Sequence, residues 1–334
     1  MKKLSALILV IIVISVFFVW SGFSPADPDL TDTTVFTVSK GQGAGQIAGN
    51  LKQAGLIKSA LSFEIVAHFS GLANRLKAGD YKLSPSITVS EIISKMSEGR
   101  TDNKKVTIVP GWDLTDLGNY LEAEGIAILE EVLELDNKEK ETGYFSRHFP
   151  FMADKPSRSG LEGYLFADTY EILNEDSLED IFFKALKNFE AVFDDGLKRK
   201  IEERGLSIYQ TVTLASMLEK EVITFEDKKM VAGVLANRLK AGMPLQVDAT
   251  ITYITKKNST RVPASDLGID SVYNTYIYRG LPFGPISTPG RESIEAALNP
   301  TPNNYFFYLS TKDGETIFSR NLAEHNLAIS KYLR

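Results

Sequence analysis

Three times between residues 35 and 125 the chain repeats one pattern: "VFTVSKGQGAGQIAGNLKQAG", "GDYKLSPSITVSEIISKMSEG" and "KVTIVPGWDLTDLGNYLEAEG". In each, a short alternating stretch leads through a Ser, Pro or Gly turn into a segment with apolar residues four apart. Phe36, Val38, Ile47 and Leu51 match Tyr81, Leu83, Ile92 and Met96 at one constant offset. Leu83, Val89, Ile92 and Met96 match Ile108, Leu114, Leu117 and Leu121 at another. A period of two places side chains on one face of a strand and a period of 3.6 on one face of a helix, so neither stretch can exchange roles with the other. Strand, turn and helix are therefore used at least three times, and the fold class is α+β.

The chain opens "MKKLSALILVIIVISVFFVWSGFSP", two lysines followed by an apolar run from Leu4 to Trp20. Such a run makes about 26 Å of helix, enough to cross a bilayer core. A secretory signal would end at a small-residue cleavage site, and no clean A-x-A stands here. The reading is a single N-terminal transmembrane helix over residues 1–22, with Lys2 and Lys3 on the cytoplasmic side and the rest outside. Residues 23–34, Pro- and Asp-rich, read as a linker. There is no cysteine, which excludes disulfides, thiol chemistry and a lipidated cysteine. A formal net charge of −6 supplies no basic footprint, so nucleic acid is not an expected partner. His68, His148 and His325 stand in no metal-ligand spacing, and no motif implies a cofactor or a metal.

The central stretch, residues 207–248, puts carboxylates into an apolar helical pattern. Ser207 and Gln210 have capping-box spacing, which starts a helix at about Ile208. Val212, Ala215, Glu219 and Val222 then share a face, while Glu221 lies about 200° away around the helix. Thr224 caps a second helix carrying Val231, Val234, Leu235 and Leu239 and stopping at Gly242, and the two helices are expected to pack as a pair. A carboxylate on a half-apolar face gains proton affinity, as a general acid requires. By helical pattern alone Glu219 reads equally as an exposed acid in a charged helix end.

Around this stretch lie other candidates. Residues 123–160 read as a helix plus an extended connection. "LEGYLFADTYEI" carries Glu162, either a cleft carboxylate or a strand-end acid paired with a surface base. "MPLQVDATITYI" reads as an alternating strand with Gln246 and Asp248. Asn274, Thr275 and Tyr276 precede a Gly/Pro-rich turn able to hold polar groups still. Thr288 reads as the cap of a helix with Pro289 at its first position, ended by Asn299 and Pro300. The chain finishes with a hairpin across Asp313-Gly314 and a short helix.

The first strand-turn-helix unit resembles the opening of a LysM module, a small fold of two strands and two helices that binds N-acetyl sugars; an α+β repeat with no ligand fits it as well. As a set, "LEGYLFADTY", "LASMLEKEV", "VAGVLANRLKAGMPLQVDATITY", "YNTYIYRGLPFGPISTPG" and "IFSRNLAEHN" are similar, in order and spacing, to the endolytic peptidoglycan transglycosylases, the MltG or YceG-like family. The likeness runs from the apolar start to the C-terminus. It implies a domain order of anchor (1–22), linker (23–34), LysM-like α+β subdomain (35–105), strand-helix connection (106–160) and catalytic domain (161–334). It also implies a single-pass protein of the bacterial inner membrane with its catalytic domain on the periplasmic side, acting on nascent glycan strands beside peptidoglycan synthases. In that likeness Glu219 is the single catalytic acid/base, and Glu162, Gln246, Asn274 and Tyr276 are substrate-binding cleft residues. Ala167 and Phe283 stand where the family usually has proline, which bears on loop stiffness and cleft shape. The alternatives are a two-carboxylate muramidase with Asp248 or Glu162 as partner, and a membrane scaffold that binds glycan and catalyses nothing.

Overall fold

The computed structural model describes residues 23–99, 103–173, 176–257 and 262–333. The anchor expected over residues 1–22 lies outside these; among the described residues no helix is long and apolar enough to cross a membrane. The chain forms two compact units, one of residues up to Lys105 with Glu171–Asp176, the other of Val106–Tyr170 with Ser177–Arg334.

The first unit runs β1 (Thr34–Val38), α1 (Ala44–Gln53), α2 (Ala60–Phe69), β2 (Gly79–Leu83) and α3 (Val89–Glu98). β1 and β2 are antiparallel, with Phe36 opposite Tyr81. The residues matched by the repeat form the core: Phe36, Val38, Ile47, Leu51, Tyr81, Leu83, Ile92 and Met96 are all buried, with Phe63 from α2 beside them. Each such side chain contributes about 1.5–3 kcal/mol by leaving water. Local signals fix the ends. Ser59 caps α2, Thr88 and Glu91 form a capping box on α3, and Gly99, at φ 71°, takes the left-handed turn that closes it.

The chain passes between the units within β3 (Lys104–Thr107) and again within β4 (Thr169–Ile172), which pair with each other. The second unit contains α4 (Leu114–Ala123), α5 (Leu129–Thr142), α6 (Leu178–Val192), α7 (Asp195–Glu203), α8 (Ile208–Glu221), α9 (Phe225–Lys240), α10 (Asp248–Thr255) and α11 (Arg291–Leu298). The hairpin β5 (Phe307–Ser310) and β6 (Thr316–Ser319) follows, then α12 (Leu322–Tyr332). Residues 106–160 belong to this unit. The irregular stretch after α5 is held by buried charges: Glu139 accepts from the Phe145 amide at 2.6 Å and pairs with Lys155 at 2.8 Å, and Asp136 accepts from the Leu161 amide at 2.6 Å.

α8 is the centre of this unit. Ser207 and Gln210 cap it reciprocally, and every residue from Thr211 to Leu218 is buried because α9, α10 and α11 all pack on it. Thr224 caps α9, as its spacing suggests.

Two local expectations change. Residues 248–255 form helix α10, and the expected strand is reduced to a single bridge of Pro244 with Arg279. The alternating threonines are accommodated because Thr250, Thr252 and Thr255 each bond a carbonyl three or four residues back in their own segment. α11 begins at Arg291 with Gly290 as its cap residue. Thr288 lies outside the helix, pairing through its backbone with Gly111 at 2.8 Å and Trp112 at 2.7 Å.

Candidate active site

The site is built at the C-terminal end of α8, where the buried row gives way to Glu219, Lys220 and Glu221. Consecutive helical residues diverge by about 100°, so the three side chains reach three places. Carboxylates at a helix C-terminus face the negative end of its dipole. Here each glutamate instead meets the N-terminus of another helix.

Glu219 turns to α9 and α11. Its Oε1 accepts from Lys228 Nζ at 3.0 Å, and its Oε2 accepts from the Gly290 amide at 2.8 Å and Ser293 Oγ at 2.7 Å. Gly290 has no side chain with which to cap α11. Glu219 instead satisfies the free Gly290 N–H at the start of α11 from a neighbouring helix, and Lys228, itself 5% exposed, balances its charge. Lys220 reaches the Gly111 carbonyl at 3.0 Å, tying down the Pro110–Trp112 turn beside it.

Glu221 turns to α10 and β5. Its Oε1 accepts from the Ala249 amide at 3.3 Å and its Oε2 from the Tyr308 hydroxyl at 2.8 Å. Enclosure by protein pushes its carboxyl up to about 7; the two hydrogen bonds oppose this and the charge of Asp248 adds to it. Asp248, the first residue of α10, is exposed and accepts from the Tyr276 hydroxyl. Burial and the bond to Asp248 hold the Tyr276 phenol well above its ordinary range. Glu221 and Asp248 thus share one helix N-terminus, the first enclosed and the second facing solvent.

Gln246 precedes them at φ 52°, with its amide on the Thr275 carbonyl at 3.0 Å and its Oε1 accepting from Arg238 at 3.0 Å. Asn274 is 1% exposed. Its Nδ2 donates to the Leu267 and Ile269 carbonyls and its Oδ1 accepts from the Tyr276 amide at 2.8 Å, so it shapes the loop that carries Tyr276. Thr275 accepts from the Val247 amide at 3.0 Å and meets Thr250. Gln246, Asn274 and Tyr276 are therefore brought together at the N-terminus of α10, where Glu221 also arrives.

Glu162 sits in a different cluster. Its Oε2 accepts from the Leu114 amide and the Tyr253 hydroxyl, each at 3.3 Å, and its buried Oε1 has no partner among the described residues. Burial first, then the charge of Asp113, raises its carboxyl to about 8, against the Leu114 amide and the charge of Lys256, which lower it. Asp113 is paired with Lys256 at 2.5 Å.

Sequence reasoning passed over Glu221. The signal was present in "LEKE", since a residue about 200° from the packed face of α8 must be received by something else, and α10 receives it.

A pair of acids at one helix N-terminus, one half-buried and one exposed, framed by two tyrosines, a glutamine and an arginine, defines a mixed α+β protein with a carboxylate-centred surface site. The family follows from comparison: the YceG-like family model matches residues 36–331, and the chain belongs to that family. A relative from Bacillus subtilis (strain 168), named endolytic murein transglycosylase, is 33% identical over 316 residues, covering 92% of this chain and 87% of the relative. A relative of the same name from Streptococcus pneumoniae (strain D39) is 28% identical over 343 residues, covering 95% of this chain and 61% of that one. The crystal structure of a YceG-like protein from Listeria monocytogenes superposes with a TM-score of 0.62 at 30% identity, covering 89% of this chain and 99% of that chain.

Proposed function

We propose that this chain is an endolytic peptidoglycan transglycosylase that cuts nascent glycan between N-acetylmuramic acid and the following N-acetylglucosamine. The observation that carries the chemistry is the placement of Glu221, half-buried beside solvent-facing Asp248 with one amide and one hydroxyl on its carboxyl, an environment that raises its carboxyl to about 7. A general acid works best when its proton affinity lies near the working pH. Glu219 is the residue expected in this role; its carboxylate is ion-paired with Lys228 besides accepting from an amide and a hydroxyl, whereas Glu221 accepts from one amide and one hydroxyl with no ion pair among the described residues. We therefore assign proton transfer to Glu221 and the fixing of α11 to Glu219.

In this reading protonated Glu221 gives its proton to the glycosidic oxygen as the bond from that oxygen to the muramic C1 breaks. The C6 hydroxyl oxygen of the same sugar closes on C1, and its proton returns to Glu221. The product is a 1,6-anhydro end, no water is consumed, and one carboxyl serves as acid and then base. Gln246 and Tyr276 line the substrate side, Asn274 holds the loop that carries Tyr276, and Glu162 supports the wall formed by α4 and α10. The apolar N-terminus anchors the chain in the inner membrane with the site outside the cytoplasm, where cutting beside the synthases limits glycan length. The first unit, strand-helix-helix-strand in order, is the LysM-like element of that arrangement.

One observation favours a second reading: Asp248 stands beside Glu221, and two carboxylates are what a hydrolase uses. Mass spectrometry of products from uncrosslinked glycan decides between them. Anhydro ends support transglycosylation, whereas reducing ends identify a muramidase with Asp248 as its second group. Uncut glycan removes both and leaves a binding scaffold.

A further inference from the structure

Arg238, on α9, is a buried guanidinium with no carboxylate partner among the described residues. It is 4% exposed, lies over the Phe307 ring at 4.8 Å, and gives its hydrogen bonds to neutral oxygens alone. Nε donates to the Phe306 carbonyl at 2.6 Å, and Nη1 donates to Pro244 O at 3.1 Å, Leu245 O at 2.8 Å and Gln246 Oε1 at 3.0 Å. A guanidinium can only donate. The Gln246 atom that faces it must therefore be the carbonyl oxygen, and the amide NH2 is turned away from Arg238. Among the described residues nothing accepts from that NH2, and the residue is exposed.

The backbone adds a second observation. Gln246 holds φ 52°, a left-handed conformation unusual for a residue with a side chain. Such backbone is costly and persists where surroundings over-determine it. Here the Gln246 amide is fixed on Thr275 and the side chain on Arg238, two residues before Asp248.

We propose that Arg238 is a positioning residue that presents Gln246 as a hydrogen-bond donor, and that Gln246 thereby selects a neutral acceptor oxygen on the substrate, the acetamido carbonyl of an N-acetyl sugar. This rests on the glycan reading of the site. An N-deacetylated sugar offers an ammonium there, which meets a donor with a donor and is disfavoured. Gln246→Glu reverses the preference, since one carboxylate oxygen still receives Arg238 and the other faces outward as an acceptor for the ammonium.

The test compares cleavage of fully N-acetylated and N-deacetylated uncrosslinked glycans by the full chain in detergent, in wild type, Gln246→Glu and Gln246→Met. The ratio of kcat/KM for acetylated over deacetylated glycan is expected to fall by roughly 10-fold or more in Gln246→Glu, the scale of one charge-assisted hydrogen bond, and to move toward one in Gln246→Met. Titration calorimetry with the same two glycans is run alongside, and thermal melts establish that each variant is folded; if Gln246→Glu does not fold, Gln246→Met carries the comparison. If no glycan is cut, the transglycosylase reading fails while the affinity ratio still decides the subsite. An unchanged ratio in the folded variants overturns the proposal.

Discussion

At the scale of single residues, two glutamates separated by one lysine have opposite surroundings. Glu219 and Lys228 form a nearly buried pair, their side chains 11% and 6% exposed, and removing one member of such a pair leaves the other uncompensated, at a cost of about 3–5 kcal/mol. Glu219→Gln is accordingly expected to lower the unfolding free energy by that order in a urea titration, and a change below about 0.5 kcal/mol, the range of ordinary surface substitutions, would contradict the capping role. Glu221→Gln keeps an acceptor for the Ala249 amide and turns its NH2 to the Tyr308 oxygen, which can accept in place of donating, and should melt close to wild type. Its glycan-cutting rate is expected to fall by about 10²–10⁴-fold, the usual worth of a placed acid/base, measured as product formed per minute at matched folded fraction. The sequence made the glutamate pair visible but could not divide these roles. Helical spacing gives a direction around the axis and not the identity of what waits there.

At the scale of elements, α8 ends against two helix N-termini, α11 for Glu219 and α10 for Glu221. The capping signals of α8 and α9 were legible because they lie within four residues of chain. The start of α11 was not, since its cap comes from Glu219, 71 residues upstream of Gly290. α10 reads as a strand in the sequence because Ala249 to Thr255 is rich in β-branched residues, and the return of its threonine hydroxyls to carbonyls three or four residues back reconciles that composition with a helix. Close packing behind the site rests on Gly163, where φ is 80° and an added Cβ would meet Pro285 Cβ at 2.4 Å and Val212 Cγ1 at 3.2 Å. Gly163→Ala is therefore expected to destabilise the second unit by ~1–3 kcal/mol, read as a fall in melting temperature. A melt within error of wild type would show that the Leu161–Tyr164 turn moves freely away from α8.

At the scale of the whole molecule, the α+β class and the core of the first unit were legible because the strand-turn-helix pattern repeats at constant offsets and its matched residues are the buried ones. Tertiary electrostatics were not legible, and they set the response to pH. Glu162 and Glu221 are raised to about 8 and about 7 from an ordinary 4.5. A carboxyl with a raised folded-state value stabilises fully below the ordinary value, and its contribution is lost as pH climbs through the folded value. Wild type should therefore lose stability relative to Glu162→Gln between pH 5 and pH 8, on the order of a few kcal/mol, with a flat difference above. A difference that stays constant across that range would refute the buried-acid assignment. Asp113 and Glu139 respond in the opposite sense: burial raises them, but Lys256 and Lys155 with further hydrogen bonds outweigh it and hold them low, so their contribution disappears only in acid. The most direct measurement is mass spectrometry of glycan ends produced by wild type, Glu221→Gln and Glu219→Gln, each assayed below its own melting temperature. Anhydro ends from wild type and from folded Glu219→Gln, with none from Glu221→Gln, are the predicted result; full activity in Glu221→Gln beside a folded, inactive Glu219→Gln would place the acid on the other glutamate.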